Sequence, residues 1–308
     1  MLEGLEISEV KFGELNRHVD SRIDPEFHQK MPLENPEFEW GIIGDYLSHS
    51  QYGISIEMNE VGQGTPIYRM NEIHNMLCDS SISKSAEITN EEIKTFQLKP
   101  RDVLFNRTNS QAFVGRTGMY FPSSENPRVF ASYLVRFRTN EKIILPEYLV
   151  SFLNSKIGIK DIKRRARISI NQSNVNPEEV KAIRIPLLSL GFQKIIKTSF
   201  SSAHAKLQES EKLHQEAEET LLSALNLEDW TPPNPLTYEA NFSNTFAGER
   251  LDAEFFQPWV NGLYEHLGNK ETLIKDVCNL RKERFKGTIN DFNYLEIGAV
   301  TPDGVIQD

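Results

Sequence analysis

From about Ile42 to Arg138 apolar and polar residues alternate in short runs broken by Gly, Asn, Ser and Pro, as in 102–105, 114–121 and 129–138. A period of two predicts half-buried strands of a mixed sheet. Pro146 predicts a helix over Glu147 to about Lys156, because proline fits a first helical turn, and a further helical stretch is expected over 159–165. The period then changes. Ile196, Ala203, Ser210, Ala217 and Ala224 recur every seventh position, and Phe200, Leu207, His214 and Leu221 do so between them. That heptad seam predicts one helix from about Leu190 to Leu227. At about 38 residues it would run about 57 Å, longer than a small domain. A protruding helix with an external partner is therefore expected, against the alternative of a long helix lying on its own domain. The small residues, with Ser210 and His214, predict close but weak pairing.

A repeat sets the domain plan. Arg22-Ile23-Asp24-Pro25-Glu26-Phe27-His28-Gln29 returns as Arg250-Leu251-Asp252-Ala253-Glu254-Phe255-Phe256-Gln257. A fainter echo follows, pairing Gly44–Leu47 with Lys275–Cys278 and Tyr68–Ile73 with Tyr294–Ala299. A period of about 230 residues is too long for a solenoid unit and implies tandem copies of a domain. The expected organisation is a first domain over 1–188, the helix over 189–228, a linker over 229–248 containing Pro232-Pro233-Asn234-Pro235, and the opening of a second copy over 249–308. The second copy is expected to be truncated.

Charge changes the picture more than composition does. The net charge is −10, yet residues 99–184 carry 16 Lys/Arg against 7 Asp/Glu, between two acidic flanks. Such asymmetry points either to a polyanion partner or to a solvated face. Cys78 and Cys278 are far apart and form no CxxC pair, so neither a metal site nor a disulfide framework is expected. No run of about 18 apolar residues occurs, and no basic-then-apolar leader opens the chain, so a cytoplasmic protein without a membrane partner is expected.

Motifs for catalysis are missing. There is no His-Glu-x-x-His, no Gly-x-Ser-x-Gly elbow and no Walker loop. Gly62-Gln63-Gly64 lacks the third glycine of a dinucleotide loop and reads as a turn, and no Asn/Asp-Pro-Pro-Tyr/Phe methyltransferase loop is present. No catalytic residue is assigned. The polar loops carry different chemistry. Arg107, Asn109, Ser110 and Gln111 lie between two strand candidates, and Arg164, Arg165 and Arg167 lead into Asn171, Gln172 and Asn174. Arginine pairs with guanine and amides with adenine, while a basic cluster holds phosphates. The plainer alternative is that such residues simply build turns.

Taken in order, several strings resemble the target recognition domain of type I restriction specificity subunits. They are Tyr52-Gly53-Ile54-Ser55, the run Gly62–Ile73 with Arg69, the run Leu98–Ser110 with Arg107, Val114-Gly115-Arg116-Thr117, the run Ala131–Arg136, Ser173–Asn176 and Ile183–Leu187. The resemblance covers roughly 40–227 well and 250–308 in part. It departs from the family pattern at Leu188-Ser189-Leu190-Gly191, at the helix start. It implies an α+β fold, with a mixed, mostly antiparallel twisted sheet and flanking helices, followed by a protruding coiled-coil helix. It also implies a non-catalytic subunit that reads double-stranded DNA, with Arg69 and Arg116 among its contacts, and that docks modification and restriction subunits. S-adenosylmethionine would be needed only by the modification subunit. Self-pairing through the long helix is a further expectation. The contrasting reading is a remnant or protein-interaction scaffold that no longer reads DNA.

Overall fold

A computed structural model describes residues 9–15, 22–29, 31, 34–170, 172–239, 241, 252–268, 274–279 and 300. The chain divides into two units, 1–212 and 213–308. In the first, a short helix α1 (Phe12–Leu15) precedes β1 (Trp40–Ile42) and β2 (Leu47–Tyr52). Strands β3 (Thr65–Tyr68), β4 (Ile73–His74), β5 (Leu77–Cys78) and β6 (Ser85–Ala86) lead to helix α2 (Asn90–Phe96). After β7 (Val103–Asn106), β8 (Thr108–Asn109), β9 (Thr117–Met119), β10 (Val129–Phe130) and β11 (Leu134–Thr139) come helices α3 (Pro146–Leu153) and α4 (Lys156–Arg165). The unit continues through β12 (Arg167–Ile168), β13 (Ser173–Asn174), α5 (Pro177–Lys181) and β14 (Arg184–Pro186) into α6 (Leu190–Ala224), which crosses the boundary between the units.

The central sheet has the order β2-β11-β7-β9-β5-β4 and is antiparallel except at β5–β9. The mixed, mostly antiparallel sheet expected from the resemblance is thus present. Its middle strand explains the sequence pattern. Val103 and Phe105 of β7 face one hydrophobic cluster, with Val135 and Phe137 of β11 and Tyr148, Leu149 and Phe152 of α3. Leu104 faces the other way, toward Tyr68, Phe130 and Leu134. Both faces are covered, so β7 is buried at every position. A three-stranded sheet β10-β3-β6 lies beside it, with Gly62 and Gly64, both at positive φ, in the turn before β3. Gly64 is required there, because a Cβ would stand 2.2 Å from the Ala86 carbonyl oxygen.

Helix boundaries follow local chemistry. Pro146 starts α3 as expected, but α3 ends at Leu153, and Ser155 begins a new helix by accepting a hydrogen bond from the Gly158 N–H. Thr89 and Glu92 form a reciprocal capping box on α2. Helix α6 is 35 residues long. Its entry is anchored by Gln193, which is fully buried, accepts from the Leu145 N–H at 2.8 Å, and donates to the Ile143 and Leu188 carbonyls.

The heptad seam is divided, which corrects the expectation that all of it faces an external partner. Ile196 and Phe200 pack on the core of their own domain, and the following residue on that side, His204, stacks on Phe121 at 4.0 Å. Only from Ala203 onward, through Leu207, Ser210, His214, Ala217, Leu221 and Ala224, are the seam residues exposed.

The repeated motif repeats a structure. In the first copy the Phe27 N–H donates to the Asp24 carbonyl at 3.2 Å. In the second, the Phe255 N–H donates to the Asp252 carbonyl at 3.3 Å and to its carboxylate at 3.2 Å. A one-turn helix over Ala253–Phe256 follows Asp252, and then α7 (Pro258–Leu267), closed by Gly268 at φ 80°. Arg250, Leu251 and the fainter echo at 285–299 lie outside the described residues.

The first copy docks on the end of α4. The Phe27 ring is fully buried, with the guanidinium carbons of Arg22, Arg164 and Arg165 at 4.8, 5.1 and 5.8 Å from its centroid. Arg22 donates to the Arg165 carbonyl at 2.6 Å and pairs with Asp24, holding that carboxyl below its ordinary pKa. Arg165 bridges Asp161 at 2.8 Å and the buried Glu179 at 2.7 Å. Removing one member of a buried pair strands the other charge. Arg165→Ala is therefore expected to cost about 3–5 kcal/mol of stability, read as a lowered urea midpoint, and a loss below about 1 kcal/mol would show that the cluster is not structural.

Candidate nucleic-acid interface

Two polar segments that are far apart in sequence meet in a third small sheet. Strand β13 pairs antiparallel with β12 on one side and β8 on the other, with Ser173 opposite Asn109 and Asn174 opposite Thr108. The segment after Asn106 and the hairpin 167–174 thus form one surface, locked by the Asn174 amide donating to Thr108 Oγ1 at 2.6 Å. Ser169 donates its N–H to the Gln172 carbonyl at 2.8 Å and closes the hairpin. Ile170, at its tip, is 98% exposed.

The loop 110–116 is held from below by α4. Lys163 Nζ donates to the carbonyls of Gln111, Ala112 and Val114, the last two at 3.0 Å. Burial, and then the charge of Arg116, lowers the Lys163 pKa. Gly115, at φ 89°, lies so close to α4 that a Cβ would stand 2.4 Å from Ile162 Cγ2. The Phe113 and Val114 N–H groups donate to the Ser110 carbonyl. A loop tied by its own carbonyls to a helix presents its side chains from a rigid base.

The expected site residues divide by environment. Arg107 lies at the junction of β7 and β8, with its guanidinium carbon 5.1 Å from the Tyr52 ring centroid and Nη1 donating to the Ser132 carbonyl at 3.4 Å. Arg116 lies over Phe113 at 4.1 Å and reaches the Ile73 carbonyl at 3.5 Å. Ser110, Gln111, Arg167 and Gln172 are exposed. Asn109 is buried, and its side-chain oxygen accepts from the Ser110 N–H at 2.8 Å, so it shapes the loop. Asn174 is engaged with Thr108. Asn171 lies outside the described residues.

Three of the expected arginines are engaged within the protein. Arg164 pairs with Asp161 at 2.6 Å and donates to the Phe27 carbonyl at 2.7 Å. Burial, its largest influence, lowers its pKa. Arg165 is buried between Asp161 and Glu179. Arg69 grips Glu72 at 2.6 Å and Ser83 at 2.9 Å, closing the turn before β4. The expectation that Arg164 and Arg165 hold DNA is corrected: a guanidinium with its donors committed to buried carboxylates belongs to the fold.

Other residues at this surface escaped the sequence reading. Tyr52 is 55 positions from Arg107, and no local signal joins them. Phe113, three positions before Arg116, could have been suspected from turn spacing. Lys163 stands in the same basic run as Arg164 and Arg165, and composition cannot sort the three. Among the described residues no group of His, Cys, Asp and Glu could hold a metal ion, and no helix is long and apolar enough to cross a membrane.

Comparison with known proteins places these features in company. No family model matches the chain. It is 29% identical over 166 residues to the putative type I restriction enzyme MjaX specificity subunit of Methanocaldococcus jannaschii, covering 53% of this chain and 39% of that protein. It is 26% identical over 137 residues to the type I restriction enzyme EcoKI specificity subunit of Escherichia coli K12, covering 44% of this chain and 29% of that one. Its relatives are type I restriction specificity subunits. The matched segments span well under half of either curated relative. Among solved structures, the HsdS subunit from Thermoanaerobacter tengcongensis matches with 15% identity and a TM-score of 0.40, over 68% of this chain and 53% of that one. The S subunit of a type I restriction-modification system from M. genitalium matches with 13% identity and a TM-score of 0.38, over 65% and 52%. The similarity expected from the motifs is therefore present in the sequence comparison.

The anchoring of the loop is open to test. Lys163→Met is expected to speed amide hydrogen exchange at 111–114 while the protection of β7 and β11 stays unchanged. Unaltered exchange in the loop would remove Lys163 from this role.

Proposed function

We propose that this chain is a non-catalytic, DNA-reading specificity subunit of a type I restriction-modification assembly. On this reading, the surface built by β8, β13 and the hairpin 167–172 reads a half-site. The observation that carries the reading is that β13 joins two chemically matched polar segments, over 60 residues apart, into one sheet. Arg107, Ser110, Gln111, Arg116, Arg167 and Gln172 then lie on two neighbouring connections, with groups suited to base edges and phosphates. The positive excess of 99–184 supports the reading less than its total suggests, because Arg101, Arg136, Arg138, Arg164 and Arg165 are paired internally. The similarity to named specificity subunits supports it independently.

Duplex DNA binding is expected to weaken with salt at a log–log slope of roughly −0.9 per phosphate neutralised. Arg107→Ala is expected to cost about 1–3 kcal/mol of discrimination at one base pair, with non-specific affinity retained. Titration against a panel of single-base variants checks this, and an equal loss on every sequence would defeat the base-reading role. In contrast, Arg167→Ala is expected to weaken all sequences alike and to flatten the salt slope by about 0.9.

The exposed part of α6 is the proposed docking element for the modification and restriction subunits, or for a second copy. Leu207 and Leu221 are 43% and 58% exposed on the seam, and sustained heptads of this kind pair helices. Replacing both with Asp is expected to abolish association in sedimentation with the modification subunit while the melting of the recognition domain is unchanged. Association that survives the double substitution would place docking elsewhere.

A further inference from the structure

We infer that Tyr52 is a positioning residue: its ring sets the plane in which Arg107 presents its guanidinium to a base edge. The inference rests on the DNA-reading proposal and adds a specificity-determining residue that does not itself touch the base. Three observations carry it.

The Arg107 backbone is held on both sides. Its N–H donates to the Tyr133 carbonyl at 3.0 Å, and its carbonyl accepts from the Val175 N–H at 2.9 Å. The side chain is held differently. Nε is buried without a hydrogen-bond partner, and Nη1 makes only a long bond of 3.4 Å to the Ser132 carbonyl. Asp102, the nearby carboxylate along the chain, is taken by Arg138 at 2.5 and 2.8 Å. With no carboxylate among the described residues to fork against, the orientation of the guanidinium depends on the one large group it lies over, the Tyr52 ring at 5.1 Å.

The ring is itself fixed from the backbone. Tyr52 ends β2 opposite Val135. Next to it, the Gly53 N–H donates to the Leu134 carbonyl at 3.1 Å, and the Ile54 N–H to the Phe130 carbonyl at 2.9 Å. The Ser132 N–H returns a bond to the Ile54 carbonyl at 2.9 Å. A Cβ at position 53 would stand 2.2 Å from the Ala131 carbonyl oxygen, so only glycine allows this approach. The same crossing therefore places both the aromatic face and the Ser132 carbonyl against Arg107. Tyr52 is 49% exposed, so its outer surface is not core packing. Bidentate pairing with guanine requires a planar donor fork aimed along the base edge, and pre-orienting that fork removes an ordering cost at binding.

Tyr52→Ala, Tyr52→Phe and Arg107→Ala in the full chain separate the alternatives, with duplexes varied one base pair at a time and 15N relaxation read at Arg107 Nε. Tyr52→Ala is expected to raise Arg107 Nε mobility and to reduce discrimination roughly two- to fivefold, at the same base pair that Arg107→Ala affects. Tyr52→Phe keeps the ring and is expected to behave as the parent in both readouts. Unchanged Nε mobility in Tyr52→Ala overturns the inference whatever happens to DNA binding. So does an equal loss on every sequence, which would make Tyr52 a backbone contact. If Tyr52→Ala frees the side chain but Arg107→Ala affects no single base pair, the DNA-reading proposal fails and this inference fails with it.

Discussion

An ion cluster around Phe27 ties the first unit together across its sequence. Three guanidinium groups crowd one buried ring, an arrangement that like-charge repulsion and desolvation would forbid by themselves. Asp24, Asp161 and Glu179 make it possible by sharing the cations among them. The cluster ties the segment at 22–27 to the last turn of α4 and, through Glu179, to the short helix α5. Strand β12 begins two residues after Arg165, and Arg22 binds the Arg165 and Ala166 carbonyls. The hairpin proposed to meet DNA therefore grows directly out of this cluster. The 22–27 motif, which recurs at 250–255, is a docking clip, and its Asp-to-Phe turn recurs with it.

The same reasoning sorts the basic residues of the middle region. Arg136 is buried, donates to the Gln97 carbonyl at 2.7 Å and binds Gln51, while Arg138 forks onto Asp102. These cations close the sheet. Arg107 and Arg116 rest on aromatic faces with few hydrogen bonds. A guanidinium answered by buried carboxylates has fewer donors left for a ligand. One resting on a ring keeps its edge open while its plane is set, which is the condition a specific contact requires.

Helix α6 serves two environments along one length. Gln193 binds three backbone groups that no regular element satisfies, and Ile196, Phe200 and His204 continue the contact with the domain. Beyond them the heptad spacing continues without a change of sequence character, but the residues are exposed. The seam thus starts as core and ends as surface.

Features with a short period were legible in the chain itself. The alternation over β7 and β11, the proline at the start of α3, the heptads of α6 and the glycine turn at 62–64 are encoded within a few residues of where they act. The repeated motif was legible because each copy is a contiguous string, and the ordered strings of 52–187 sufficed to point to specificity subunits, as the curated relatives bear out. What the tertiary structure decided was the environment of each charge. Arg22 reaches a carbonyl 143 positions away, Arg164 one 137 positions away, and Tyr52 meets Arg107 across the sheet. Lys163, Arg164 and Arg165 are adjacent and chemically alike, yet one holds a loop and two are locked into the fold, because burial and partner geometry act at distances that local pattern does not carry.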